Sequence, residues 1–332
     1  MVVSLDMQAS FEKYKTMVES KIKELVPSGF ENFYDAMDYT LSSGGKRLRP
    51  MLCLLACEAL GGKIEQAVPA AAAIEVAHNF TLVHDDIEDG DETRRGKPTV
   101  WKKVGVPHAI NVGDGMLMKA YECLAASAIP AEKRIRLLER MTQTLVEVAE
   151  GQNMDINFRQ RGDVTADEYI TMARKKCGVL FGFSLEAGAI AAGADSQVQA
   201  ALYNFGSDIG LAFMVRDDVL NLAGDARKYG KEICGDIREG KRTLITIDCL
   251  SKCATADRAR LLEILKAGHG KVSDGDVAFA ISLINKHGSI AYAQKRSEEM
   301  ITRAMQTLKN IRNAKLKEAL EEFSDTMVKR ES

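Results

Sequence analysis

Apolar residues along this chain recur at helical spacing, and the runs are broken by short polar stretches that carry glycine. Met7–Glu24 has mixed periodicity. Lys46–Leu60 is largely apolar and stops at Gly61-Gly62. From Ile64 to about Asp89 the chain is alanine-rich and nearly apolar on several faces at once. That pattern predicts a helix enclosed by other helices, since a surface helix keeps one polar face. Pro107–Ala128, Ala131 to about Asn157, Ala166–Ala192 and Ser196 to about Leu222 read as further helices. Pro130 suits a helix start, where a missing N–H costs nothing. Gly90–Pro98 and Gly224–Gly240 are charged and polar, so loops are expected there. Four or five amphipathic helices complete the chain. Period-two alternation with β-branched residues is almost absent. The predicted class is all-α, a single domain over residues 1–332 built as a bundle of long helices.

Composition sharpens this. The 332 residues include only 6 prolines, none after Pro130, which excludes collagen-like and proline-rich disordered chains and favours long helices. With 46% hydrophobic residues the chain can bury a large core. A net charge of -2 argues against a general nucleic-acid binder. The 7 cysteines form no C-x-x-C pair, and Cys53/Cys57 and Cys249/Cys253 are spaced i, i+4. Small buried hydrophobes in a reducing compartment are the expectation, in preference to a zinc site. The N-terminus lacks a signal-peptide pattern, and no run of apolar residues is long enough to span a bilayer. A cytoplasmic protein without a membrane span is expected.

Three clusters carry candidate chemistry. His84-Asp85-Asp86-Ile87-Glu88-Asp89 closes the alanine-rich helix, and Asp85 and Asp89 share one face. Like charges at i, i+4 repel. A divalent cation would relieve that, and Mg²⁺ takes hard oxygen ligands. Asp217-Asp218-Val219-Leu220-Asn221 closes a second apolar run, with Asp217 and Asn221 four apart. A solvated helix end is the bland alternative for each cluster. It weakens because a solvated acidic end has no need of an apolar run behind it. The third cluster is basic: Gly44-Gly45-Lys46-Arg47-Leu48-Arg49-Pro50, Arg94-Arg95-Gly96-Lys97-Pro98-Thr99, Lys175-Lys176, Lys231 and Lys241-Arg242. Arginine forks and lysine point charges suit phosphate oxygens. Carboxylates with Mg²⁺ and basic groups could together hold a diphosphate and stabilise it as a leaving group.

These motifs, with Gly151-Gln152-Asn153-Met154-Asp155, resemble in order and spacing the trans-isoprenyl diphosphate synthases, a family that includes farnesyl and geranylgeranyl diphosphate synthases. The resemblance runs from Gly44 to about Thr243 and is nearest to archaeal short-chain enzymes of the geranylgeranyl type. It implies the isoprenoid synthase fold, helices around a deep central cavity, as a homodimer. It implies about three Mg²⁺ ions held chiefly by Asp85, Asp89 and Asp217, with Asp86 and Asn221 in the same two motifs. It implies that Arg94, Lys176, Lys231 and Lys241 hold an allylic diphosphate (dimethylallyl, geranyl or farnesyl). Lys46, Arg49, His78 and Arg95 would hold isopentenyl diphosphate. Gln152 and Asp155 would support the metal end.

Three positions depart from the family pattern. Cys177 stands where threonine is usual, Met214 where glutamine is usual, and Asn221 where aspartate is common. Two sulfur side chains beside an allylic cation are weak acceptors, so a slower synthase is expected. For product length, Thr81, Phe80 and Ala77 precede Asp85. Phe80 lies about 7.5 Å back along the axis and could form a floor. One aromatic in this register suits a twenty-carbon product by family analogy. A class I terpene-synthase-like enzyme and a non-catalytic regulatory subunit remain as alternatives. Lys46, Arg49 and Arg95 speak against the first, and two intact acidic motifs against the second.

Overall fold

The computed structural model describes residues 5–223, 234–268, 270–309 and 311–328. Among them the chain is all-α apart from one small hairpin. The helices are α1 (Leu5–Leu25), α2 (Tyr34–Leu41), α3 (Leu48–Ala59), α4 (Ile64–Asp89), α5 (Val100–Val104), α6 (Val106–Ala125), α7 (Ala131–Phe158), α8 (Ala166–Ala173), α9 (Val179–Ala192) and α10 (Ser196–Ala223). There follow α11 (Gly235–Glu239), α12 (Leu244–Lys252), α13 (Thr255–Ala267), α14 (Asp274–His287), α15 (Ser289–Leu308) and α16 (Ala314–Val328). The hairpin strands are β1 (Thr93–Arg94) and β2 (Lys97–Pro98).

Two helices form the centre. α4 packs against α1, α3, α6 and α9, and Ala70, Ala71, Ala72 and Ala73 are all buried. Its lack of a polar face is thereby explained: from Ala70 to Ala77 no side of it is left to water. α9 is buried from Val179 to Ala191, held between α3, α4, α7 and α10. Its single charge, Glu186, accepts two bonds from Arg140 Nε of α7 at 2.8 and 3.0 Å. Such close crossing needs glycine. A Cβ on Gly188 would lie 2.1 Å from the Cys53 carbonyl of α3. One on Gly206 of α10 would lie 2.6 Å from the Phe181 carbonyl of α9. No described helix is long and apolar enough to cross a membrane.

The structure refines several boundaries. The expected helix Ala166–Ala192 is α8 and α9 joined by one π-helical turn, Arg174–Gly178. The expected loop Gly90–Pro98 contains the hairpin, whose turn residues Arg95 and Gly96 both have positive φ, as a primed two-residue turn requires. The expected loop Gly224–Gly240 contains, in its described part, the helical turn α11. The expected start at Lys46 moves to Leu48, because Arg47 takes a left-handed conformation with φ 50°. Of the 7 cysteines, Cys53, Cys57, Cys123, Cys234 and Cys249 are buried and all 7 are free thiols.

Candidate active site

α4 stops at Gly90, which adopts φ 73° without the steric cost a side chain would bring. The stop leaves Asp85 and Asp89 in the last turns of α4. α10 likewise carries Asp217, Asp218 and Asn221 near its C-terminal end. Carboxylates at a helix C-terminus meet the negative end of the macrodipole, so both sites call for cations. Both line one cavity of about 540 Å³.

Basic groups ring the acidic ones. Lys176 Nζ donates to Asp155 Oδ2 at 2.6 Å, and Lys241 Nζ lies 3.3 Å from Asp89 Oδ2. Arg159 Nη2 donates to Asp89 Oδ1, and Arg94 Nε to Asp86 Oδ1. Burial alone would raise the Asp89 pKa; the charges of Lys241, Lys176 and Arg159 outweigh it and hold the carboxyl well below the usual range. For Asp85 burial wins, and its carboxyl is pushed up against the partial offset of Lys176. Lys176 sits above the usual lysine range, because Asp155 and Asp85 overcome the opposing effect of its burial.

The π turn explains how two consecutive side chains, Lys176 and Cys177, both line the cavity. α7 meets this turn at Gly151, where a Cβ would lie 2.3 Å from the Lys176 amide nitrogen. On the other side, Arg49 Nη1 donates to His78 Nε2 at 3.1 Å. Arginine has only donors, so Nε2 is the acceptor and His78 is neutral. Burial, then the Arg49 and Arg95 charges, hold its pKa well below the usual histidine value. Arg49 stacks on Phe181 at 4.3 Å and its Nη2 lies 3.7 Å from Cys177 Sγ. Beneath this group Arg47, 5% exposed, pairs with the buried Glu75, which also accepts from Asn79 Nδ2 at 2.9 Å.

Of the residues singled out from sequence, Arg49, His78, Thr81, Asp85, Asp89, Arg94, Lys176, Cys177, Met214, Asp217, Asn221 and Lys241 line this cavity. Lys46 is exposed and is absent from the lining. Arg95 donates to Ser43 Oγ at 3.2 Å and to the Gly44 carbonyl, locking the hairpin to the loop before α3. Asp86 is buried against Arg94 rather than on the cavity wall. Asn221 Oδ1 accepts from the Asp236 amide at 3.2 Å, so this oxygen shapes the loop entering α11. Phe80 is half-buried with its ring against His84, centroids 5.8 Å apart, and is absent from the lining; Ala77 is fully buried. Lys231 lies outside the described residues. Gln152 Nε2 donates to Glu88 Oε2 at 2.5 Å, tying α7 to the end of α4.

The polyprenyl synthetase family model matches residues 30–284. The chain belongs to the polyprenyl synthetase family. It is 39% identical to the geranylgeranyl pyrophosphate synthase of Geoglobus acetivorans over 95% of each chain. Among solved structures it is similar to the geranylgeranyl pyrophosphate synthetase of Pyrococcus horikoshii, at 39% identity and TM-score 0.89 over 98% of each chain. The polyprenyl synthase of Caulobacter crescentus, solved with calcium and isoprenyl diphosphate, superposes with TM-score 0.91 at 26% identity over 100% of this chain and 99% of that one. The isoprenoid synthase fold and a prenyltransferase activity follow from this membership.

Prenyl synthases of this family are Mg²⁺-dependent. The donor set here fits that ion: every candidate ligand is a hard oxygen. Among the described residues no three His, Cys, Asp or Glu side chains converge tightly enough to hold an ion alone. Mg²⁺ keeps several waters and uses one or two carboxylates plus substrate phosphates. In this polyprenyl synthetase the sequence reading overlooked Arg159, Tyr169, Asp236 and Glu239. Tyr169 OH donates to Asp218 Oδ2 at 2.5 Å, and Glu239 pairs with Lys241. The i, i+4 spacing of Asp155 and Arg159 was the one available signal for any of them.

Proposed function

We propose that this chain, as one catalytic domain over 1–332, condenses isopentenyl diphosphate with an allylic diphosphate, and that its main product is geranylgeranyl diphosphate. The carrying observation is a single cavity with two acidic helix ends, Lys176, Lys241 and Arg94 around them, and apolar Leu82, Val148, Leu180 and Phe213 among the lining. Polar and apolar parts thus match a diphosphate with a hydrocarbon tail. The named relatives, geranylgeranyl synthases at 39% identity, support the product.

In this reading Arg94, Lys176 and Lys241, with Lys231, hold the allylic diphosphate. Lys46, Arg49, Arg95 and neutral His78 hold isopentenyl diphosphate. Asp85, Asp89 and Asp217 would hold about three Mg²⁺ ions, which neutralise charge on the diphosphate as it leaves. The lysines hold the departing diphosphate close, and the apolar lining excludes water from the allylic cation. The isopentenyl double bond then attacks C1 of that cation. The new C–C bond forms, the released diphosphate accepts the proton, and a double bond results. Phe80 and Thr81 limit tail length, Thr81 from the cavity wall and Phe80 from the adjoining α4 position. A homodimer is supported by exposed Val106, Ile110 and Met118 on α6 and exposed Ile135, Val146 and Ile156 on α7. Tyr121 OH joins these two helices through Thr142 Oγ1 at 3.0 Å.

The test is incubation with Mg²⁺, radiolabelled isopentenyl diphosphate and each allylic diphosphate, with products resolved by chromatography. A labelled twenty-carbon product is expected. No incorporation with any primer would overturn the proposal, and cyclised or hydroxylated products without label would favour a terpene-synthase activity.

A further inference from the structure

Arg242 is one of the largest fully buried side chains, 2% exposed. It follows Lys241 directly and lines both the main cavity and a second one of about 300 Å³. Its guanidinium donates to three main-chain carbonyls: Nε to Arg161 at 2.8 Å, Nη1 to Gly240 at 2.7 Å and Nη2 to Arg159 at 2.8 Å. Among the described residues no carboxylate lies within ion-pair distance of it, and burial draws its pKa down to about 10. A buried cation without a counter-ion is a costly way merely to fill space.

The carbonyls it joins indicate another role. Arg159 holds Asp89 Oδ1. Gly240 precedes Lys241, whose Nζ faces Asp89 Oδ2 at 3.3 Å. One planar fork therefore fixes both backbone segments that grip the two oxygens of a single carboxylate. Gly240 has no slack of its own: at φ 74° it passes so near α13 that a Cβ would lie 2.1 Å from the Leu265 carbonyl. Lysine could not reproduce the arrangement, because it lacks the rigid three-way fork.

We propose that Arg242 is a positioning residue for the allylic half of the site, setting Lys241 and Arg159 around Asp89 through their backbones. The isopentenyl half, with Lys46, Arg49 and His78 on and before α3 and on α4, does not depend on it. This inference rests on the reading of Lys241 as an allylic-diphosphate ligand.

The experiment compares Arg242→Met, Arg242→Lys, Lys241→Ala and the double variant Lys241→Ala/Arg242→Met by steady-state kinetics at saturating Mg²⁺, alongside thermal midpoints. Arg242→Met is expected to raise KM for the allylic substrate about tenfold while KM for isopentenyl diphosphate stays within about twofold. Arg242→Lys should fall between, near threefold, and carries the test if the Met variant does not fold. The double variant should fall clearly short of the product of the two single effects, because one of the two backbone segments that Arg242 fixes is that of Lys241. A lower midpoint with both KM values unchanged, an equal rise in both, or full additivity in the double variant would overturn the inference. If Lys241→Ala itself leaves the allylic KM unchanged, the reading of Lys241 fails first. A moved KM in Lys241→Ala beside an unmoved one in Arg242→Met isolates the failure to Arg242.

Discussion

Cys177 stands where the two proposed binding halves touch: it lines the cavity and its sulfur is the neighbour of Arg49, which also holds His78 and stacks on Phe181. A thiol accepts a hydrogen bond weakly and a hydroxyl accepts it well. Cys177→Thr would therefore give Arg49 a firmer partner and the allylic cation an oxygen, and Met214→Gln would add a second. The double change is expected to raise kcat at least about threefold, since each factor of ten in rate is only about 1.4 kcal/mol. A double variant with equal or lower turnover removes the sulfur argument. Phe80 and Thr81 give a second prediction. Thr81→Phe intrudes on the cavity and should shorten the product; Phe80→Ala frees room beside it and should lengthen it. Chromatography of the products checks both, and an unaltered distribution in either takes that residue out of the account. The pairing of Asp85 with Asp89 was legible from spacing alone. The rotation that turns Phe80 toward His84 was not, because a helix that is apolar all round carries no pattern to fix its phase against its neighbours.

At the level of elements the helices were legible and their interruptions were not. The run from Ala166 to Ala192 carries no proline, and the charged Arg174-Lys175-Lys176 at the π turn reads like any polar helix face, so periodicity gave no hint that the helix widens there. The turn depends on Gly151, whose missing side chain lets α7 lie against the Lys176 backbone. Gly151→Ala is expected to cost about 1–3 kcal/mol by overpacking. It should also shift the Lys176 ammonium away from Asp155 and raise the allylic KM. Thermal denaturation and kinetics on one preparation check the pair. A variant as stable as the parent would show that the two backbones have room to part. The hairpin after α4 was hidden for a different reason: strands of two residues are too short to show alternation.

At the level of the molecule, the site is assembled from sequence segments that no local pattern links. The acidic ends of α4 and α10 line one cavity, and α9 packs against both helices. Membership of a known family supplied that juxtaposition in advance; residue spacing did not. The exposed apolar residues of α6 and α7 bear on assembly. The chain is expected to sediment at twice the mass of one protomer, and Ile110→Glu with Val146→Glu should shift it to a monomer. A single-chain mass for the parent protein would count against the homodimer. The glycines at the crossings of α9 have a wider consequence. Where Gly188 meets the Cys53 carbonyl and Gly206 meets that of Phe181, backbone rests on backbone. Those crossings have no side chain to trim and no gap to fill, so α9 cannot shift relative to α3 or α10 to change the size of the chamber. Adjustment is left to side chains that project from α4 and its opposite numbers. A lineage exploring new product lengths would thus find its variation confined to exchangeable side chains facing the chamber, while the backbone crossings of α9 stay fixed.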